Sequence, residues 1–452
     1  MKNYRFLSLF LLIPMLLSLL SLPAAALEEP DLQCTNAVLV DANYGEVLYQ
    51  KHAYDKAYPA SITKVMTALL VMEAIEAGIL TGDTMVTASE SAFDGLSVYG
   101  STANIKAGET MSVENLLYCL LLPSANEAAN ILAEAVDGDV ATFVAHMNQK
   151  AADLGCTGTH FANPNGLHDD NHYTTAYDIS LFMTAALKYD LFRQIISTPS
   201  HTVPATNLSG ERFFYNTNAL ISNLYYAGYV YDKCIGGKTG TTEEAGRCLA
   251  AAAESGDTLL VSVVLGSGVI ALPDGTQKQG QFMESSKLLK WGFDNFERVT
   301  ITKGSEPVDK VAVTLSRQAD EVMVKPQGSI VRTLPKDLDP DLIETEITLF
   351  SQEVEAPVQE GQVLGAMTLS YEGEVYGTLD LVAVNSVERS ELLYKKAQFL
   401  SFFQRSGVQI ALVLLALAGA FIVLKLLVFR KRRYSGTRSR TGGRGNYRGT
   451  RR

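Results

Sequence analysis

Tyr58 to Gly78 read YPASITKVMTALLVMEAIEAG, a helical segment that opens on a proline, a serine and, one turn later, a lysine. Met66, Leu69, Leu70, Met72 and Ala74 make the segment largely apolar, and Gly78 is a natural stop. Lys64 is the anomaly, because a lysine on a buried face loses its hydration unless something pairs or uses it. Ser61 and Lys64 lie three residues apart, on one face of the helix. A serine hydroxyl is a weak nucleophile until a base removes its proton. Lysine is such a base when burial and nearby positive charge lower its pKa toward working pH. The helix start also points a free backbone N–H at whatever the serine attacks. The ordinary alternative is an N-cap serine beside a snorkelling lysine, and the S-x-x-K spacing by itself does not choose between them.

Two further stretches bear on that choice. Ser124-Ala125-Asn126 follows the helix ending LLYCLLLP and places a hydroxyl and a carboxamide on a turn between helices. Lys238-Thr239-Gly240-Thr241 follows Gly236-Gly237 on a strand. There glycine allows close approach of a ligand backbone, and lysine with threonine can hold a carboxylate. Each stretch is ordinary alone; the three in this order, on a helix start, an inter-helix turn and a strand, are hard to obtain by accident.

The rest of the chain sets the compartment. Residues 1–26 carry Lys2 and Arg5, an unbroken apolar run and Pro23-Ala24-Ala25-Ala26, the pattern of a secretory signal peptide cut after Ala26, with an uncleaved anchor as the alternative. Val408 to Leu424 is apolar and uncharged, and the run continues past Lys425 to Phe429, long enough to span a bilayer. The tail RKRRYSGTRSRTGGRGNYRGTRR has ten basic residues and no acidic one, which keeps it on the cytoplasmic side and the bulk of the chain outside. Its Arg-Gly pattern is read as contact with anionic lipid rather than with RNA. Between Leu27 and Arg405 stand 25 basic and 49 acidic residues, a net −24, so the exported part does not attract nucleic acid.

Helical patterns alternate with strands from Cys34 to about Phe296. NAVLVDANYGEVLYQ reads as a hairpin, helices are expected around 63–77, 112–135, 139–154 and 175–188, and CIGGKTG, RCLAAAAE and TLLVSVVLG follow as strands before a closing helix, SSKLLKWGFDNF. The expected division is a domain over 27–296 with a central antiparallel sheet and helices (α/β or α+β), an all-β domain over 297–389, an amphipathic linker over 390–406, a transmembrane helix over 407–429 and a cytoplasmic tail over 430–452. In the linker Leu393, Ala397, Leu400 and Phe403 fall at helical spacing, as in a segment lying at the membrane interface. The five cysteines show no metal-ligand spacing; Cys119 reads as a core residue, and Cys234 and Cys248 could pair across a hairpin.

Ser61-x-x-Lys64, Ser124-x-Asn126 and Lys238-Thr239-Gly240 resemble the active-site triplet of the penicillin-binding proteins and serine β-lactamases. PASITKVMTALL, PSANEAANILAE, FANPNGLHDDNHYTTAYDIS and GGKTGTTEEAGRCLAAAAE look like the low-molecular-weight D-alanyl-D-alanine carboxypeptidases, and the likeness extends through the β-rich domain to the membrane segment. It implies a β-lactamase/transpeptidase-like fold and the following roles. Ser61 is the nucleophile on the bond between the two terminal D-alanines of a peptidoglycan stem peptide, Lys64 the base, Ser124 a proton relay, and Asn126 orients the substrate amide and Lys64. Lys238 and Thr239 hold the terminal carboxylate, and the backbone N–H groups of Ser61 and Thr241 form the oxyanion hole. No cofactor or metal is implied. DD-endopeptidase action on cross-links and a non-catalytic wall-binding scaffold are the alternatives. None of the glutamates between the second and third motifs (Glu127, Glu134, Glu211) has the E-x-x-L-N context of class A β-lactamases, so β-lactams are expected to act as inhibitors. Arg247 is read as a solvated strand residue ahead of a carboxylate ligand. His160, His168 and His172 are read as structural or solvent-facing, and the sequon Asn207-Leu208-Ser209 as a chance match.

Overall fold

The structure, a computed structural model, describes residues 27–371 and 373–432. The leader expected over 1–26 and the tail from 433 onward lie outside the described residues. The chain divides into two compact units, one of 27–301 with 331–340, the other of 302–330 with 341–432.

In the first unit, β1 (Asn36–Asp41) and β2 (Val47–Lys51) form the expected hairpin, and β3 (Cys234–Thr242), β4 (Gly246–Ser255) and β5 (Thr258–Ser267) are the three consecutive strands. They make one antiparallel sheet in the order β2-β1-β5-β4-β3. Both faces are covered, so the strands read as continuous apolar runs rather than an alternation with polar residues. Val38, Val40, Ala250, Ala252, Val261 and Val263 face the larger core. Ala37, Leu39, Leu249, Ala251, Leu260 and Val264, one step out of phase, face the smaller one.

The larger core is built from α1 (Thr63–Glu76), α2 (Val113–Leu121), α3 (Asn126–Asp137), α4 (Val140–Asp153), α5 (Ala176–Ala186) and α6 (Asp190–Ser197). On the other face α7 (Gly280–Asn295) contributes Phe282, Leu288 and Leu289. α1 is buried nearly all round, with only Ile75 and the flanking glutamates partly exposed, which accounts for its lack of a polar stripe. The helix expected over 112–135 is two helices. Pro123 cannot donate a backbone hydrogen bond, and Ser124 sits at φ +70°, so the chain turns between Leu121 and Asn126. α6 was not anticipated, because eight residues are too few for a periodic pattern to stand out.

The second unit carries a six-stranded sheet whose core includes Val311, Val313, Val322, Val324, Met367 and Leu381. Its C-terminal part holds the helix Glu391–Gln404, with Phe399, Leu400, Phe402 and Phe403 exposed, and the helix Ser406–Arg432. Ser406–Phe429 is long and apolar enough to cross a membrane, with a mean hydropathy of 2.8.

Leu69 lies at the centre of the larger core and is 1% exposed. Leu69→Ala is expected to cost about 2–5 kcal/mol of stability, read as a lower denaturant midpoint of the detergent-solubilised chain.

Candidate active site

The site is assembled where α1 begins, at the α2–α3 turn and on β3. Ala60–Ile62 form a single 3-10 turn leading into α1, so Ser61 sits at the helix mouth and Lys64 one turn inside. Lys64 is fully buried. Its Nζ lies 3.0 Å from Ser61 Oγ, 2.7 Å from Asn126 Oδ1 and 2.5 Å from the carbonyl oxygen of Asn165. The last two atoms can only accept. A neutral amine satisfies them with its two hydrogens and leaves its lone pair for the Ser61 hydroxyl proton. Burial lowers the Lys64 pKa well below the ordinary lysine value, the positive charge of Lys238 lowers it further, and Glu127 opposes them.

Lys238 is 1% exposed, and burial brings its pKa down to about 7. Its Nζ donates to the Thr239 carbonyl at 2.9 Å, and Thr239 Oγ1 lies 2.7 Å from Thr217 Oγ1. The cleft is lined by Ser61, Ser124, Thr239, Thr241, Arg247 and Tyr225, among others. Ser124 Oγ is buried in its wall and has no hydrogen-bond partner among the described residues.

Gly240 explains how β3 reaches Ser61. A Cβ there would lie 2.7 Å from the Pro59 oxygen and 3.2 Å from Ser61 N, so only a bare backbone passes. The Gly236-Gly237 pair has another use than the ligand approach expected of it: a Cβ at Gly236 would meet the Ile196 oxygen at 2.6 Å, and one at Gly237 the Ala250 oxygen at 2.3 Å. These two make room for the protein's own backbone. Arg247 stands across from Thr241 on β4, half-buried and in the cleft wall, and its side chain makes no ion pair or hydrogen bond among the described residues.

The Peptidase_S11 family, described as D-alanyl-D-alanine carboxypeptidase, matches residues 24–268, and the Penicillin-binding protein 5, C-terminal domain family matches residues 296–389. D-alanyl-D-alanine carboxypeptidase DacF of Bacillus subtilis is 32% identical over 375 residues, covering 83% of this chain and 89% of that protein. The chain belongs to the D-alanyl-D-alanine carboxypeptidase family. DacA of Escherichia coli is 29% identical, over 81% of this chain and 86% of that one. The crystal structure of penicillin binding protein 5 from Haemophilus influenzae superposes with a TM-score of 0.64 at 28% identity, covering 80% of this chain and 99% of the other. The fold is thus that of the penicillin-binding protein 5 group, a catalytic domain followed by an all-β domain. The family favours carboxypeptidase activity over the endopeptidase and scaffold alternatives.

Side chains of the first two motifs meet at Lys64, and residues of all three line one cleft. Sequence reasoning missed Asn165, whose carbonyl rather than side chain meets Lys64, and Thr217, because a backbone oxygen has no signature and threonine is common. It also left open a Cys234–Cys248 bridge. The strand register sets Cys234 against Ala253 and Cys248 against Gly240, and both thiols are free. The Asn207 amide is occupied within the fold: Oδ1 accepts from Thr110 N–H and Nδ2 donates to the Gly108 carbonyl.

Replacing Gly240 by alanine is expected to slow acylation by a β-lactam about 10–100-fold, measured by stopped-flow, because the new methyl displaces Ser61 from β3.

Proposed function

We propose that this chain removes the terminal D-alanine from peptidoglycan stem peptides through an acyl-enzyme on Ser61. The observation that carries the reading is the buried Lys64 amine, hydrogen-bonded to two obligate acceptors and 3.0 Å from Ser61 Oγ. Neutral Lys64 takes the Ser61 proton as the hydroxyl oxygen attacks the carbonyl between the two D-alanines. The developing oxyanion is held by the N–H groups of Ser61 and Thr241; loss of one such donor typically costs on the order of 100- to 1000-fold in rate. Ser124 passes the proton to the departing amine, and Asn126 orients both Lys64 and the substrate amide. Lys238 and Thr239 bind the terminal carboxylate, joined by Arg247, a cation in the cleft wall. Water then releases the shortened stem. β-Lactams acylate Ser61 and leave slowly, since none of Glu127, Glu134 and Glu211 has the context of the water-activating glutamate of class A β-lactamases.

The same proposal covers the layout: a cleaved leader over 1–26, a catalytic domain over 27–296, a β domain over 297–389, and a linker over 390–406. A single membrane anchor over 407–429 would hold the catalytic domain on the wall side, with the basic tail over 430–452 in the cytoplasm.

Incubation with benzylpenicillin followed by peptide mapping is expected to place the adduct on Ser61, and a peptide ending in D-Ala-D-Ala is expected to release free D-alanine. Ser61→Ala abolishes both. An adduct without D-alanine release would exclude the carboxypeptidase reading, and absence of any adduct would exclude the mechanism.

The two lysines give the reaction its pH dependence. Activity needs Lys64 neutral and Lys238 charged, so kcat/KM rises through the lowered pKa of Lys64 and falls through that of Lys238, at about 7 in the free enzyme. Lys238→Gln removes a positive charge that lowers the Lys64 pKa. Its residual acylation is expected to show an acid limb displaced to higher pH.

A further inference from the structure

Behind the nucleophile runs a second hydrogen-bonded chain that the mechanism above does not use. Thr63 is fully buried and donates its Oγ1 hydrogen to the Ala60 carbonyl at 2.8 Å. His172 Nε2 lies 2.8 Å from the same Thr63 oxygen. His172 is 2% exposed, and its Nδ1 accepts the Ala162 N–H at 3.1 Å. A ring nitrogen that accepts carries no proton, so the single proton of the neutral imidazole is on Nε2, directed at Thr63. Burial pushes the His172 pKa down to about 4, which keeps the ring in that neutral form. The donors therefore run in one direction: Ala162 N–H to His172, His172 Nε2–H to Thr63, Thr63 Oγ1–H to Ala60.

The end of that chain is a backbone oxygen under unusual constraint. Ala60 has φ +46°, in the left-handed region that a residue with a Cβ seldom occupies. Its oxygen also accepts the Thr63 N–H. Gly166, at φ +85°, packs so closely on it that a Cβ would sit 2.0 Å away. The Ala60 carbonyl and the Ser61 N–H belong to one planar trans peptide and point in opposite directions. Whatever grips the oxygen therefore sets the direction of the N–H.

We infer that Thr63 and His172 are positioning residues that aim the Ser61 N–H into the oxyanion hole by holding the far side of its own peptide plane. This rests on the reading of Ser61 as the nucleophile. It separates the relay from a merely structural contact, because loosening it slows the step in which the oxyanion forms and leaves ligand affinity in place.

The test is rapid-mixing acylation of the detergent-solubilised full-length chain by benzylpenicillin, resolved into a non-covalent dissociation constant and an acylation rate constant. Rates are normalised to the active fraction, taken from final adduct stoichiometry by intact mass. Thr63→Val, which keeps shape and removes the hydroxyl, is expected to lower the acylation rate constant about 10–100-fold. The dissociation constant should stay within about threefold of wild type, since the ligand contacts are intact. Thr63→Ser restores the hydroxyl and most of the rate. His172→Leu moves the rate in the same direction, and His172→Gln, whose amide N–H can reach Thr63, recovers part of it. The relay is overturned if Thr63→Val acylates within twofold of wild type, or if Thr63→Ser is as slow as Thr63→Val. Should Thr63→Val yield no folded protein, the His172→Leu and His172→Gln pair decides, and wild-type rates in both overturn the relay. A wild-type chain that forms no Ser61 adduct instead removes the catalytic reading on which the relay rests.

Discussion

The buried amine of Lys64 is the constraint around which the rest of the site is arranged. A lysine taken wholly out of water keeps its proton only if a counter-charge holds it there, and the atoms within hydrogen-bond reach of Nζ are a hydroxyl, a carboxamide oxygen and a peptide carbonyl. None of the three is charged. The largest effects on its titration are burial and a second lysine, both pushing toward the neutral amine, and they outweigh the opposing charge of Glu127. A desolvation penalty that would destabilise an ordinary core thus favours a neutral amine 3.0 Å from the Ser61 hydroxyl, in a residue that is a cation in water.

Holding that amine in place requires three remote parts of the chain to meet within hydrogen-bond distance, and small residues make this possible. β3 is an edge strand of the five-stranded sheet, with no sheet partner on its outer side among the described residues. Gly240 lets its backbone lie beside Ser61, while Gly166 lets the 161–173 loop close on Ala60 from another direction. The same loop places the Asn165 carbonyl on Lys64, the Pro164 carbonyl on Thr67 and the His172 ring on Thr63. The histidines in and beside this loop therefore differ in kind: His160 is exposed and bonded to the Asn171 carbonyl, His168 is exposed near Asp170 and Glu244, and His172 is part of the core.

Much of the fold was legible because long apolar segments stand out in the sequence even where burial on all sides removes their periodicity. The β1–β2 hairpin, the three strands ending at Ser267, and helices α1, α4, α5 and α7 carry such apolar segments, with Asp139 and Thr175 capping α4 and α5 and Gly78 following α1. Legibility failed where length or a single backbone angle decided the matter. The eight residues of α6 were too short to register, and the break between α2 and α3 depends on Pro123 and the positive φ of Ser124.

The sequence by itself determined the chemistry: which hydroxyl, which amines and which carboxamide are present, and the order of the three motifs that hold them. Side-chain identity and spacing are local properties, and motif recognition needs nothing more. Only the tertiary structure decided what surrounds those groups. The Asn165 carbonyl on Lys64, the clamp on the Ala60 oxygen, the unpartnered Ser124 hydroxyl, the separation of Cys234 from Cys248 and the placing of Arg247 in the cleft wall all depend on backbone atoms or on long-range packing. A peptide oxygen is the same in every residue, so no sequence pattern marks the ones that folding brings to Lys64 and its neighbours.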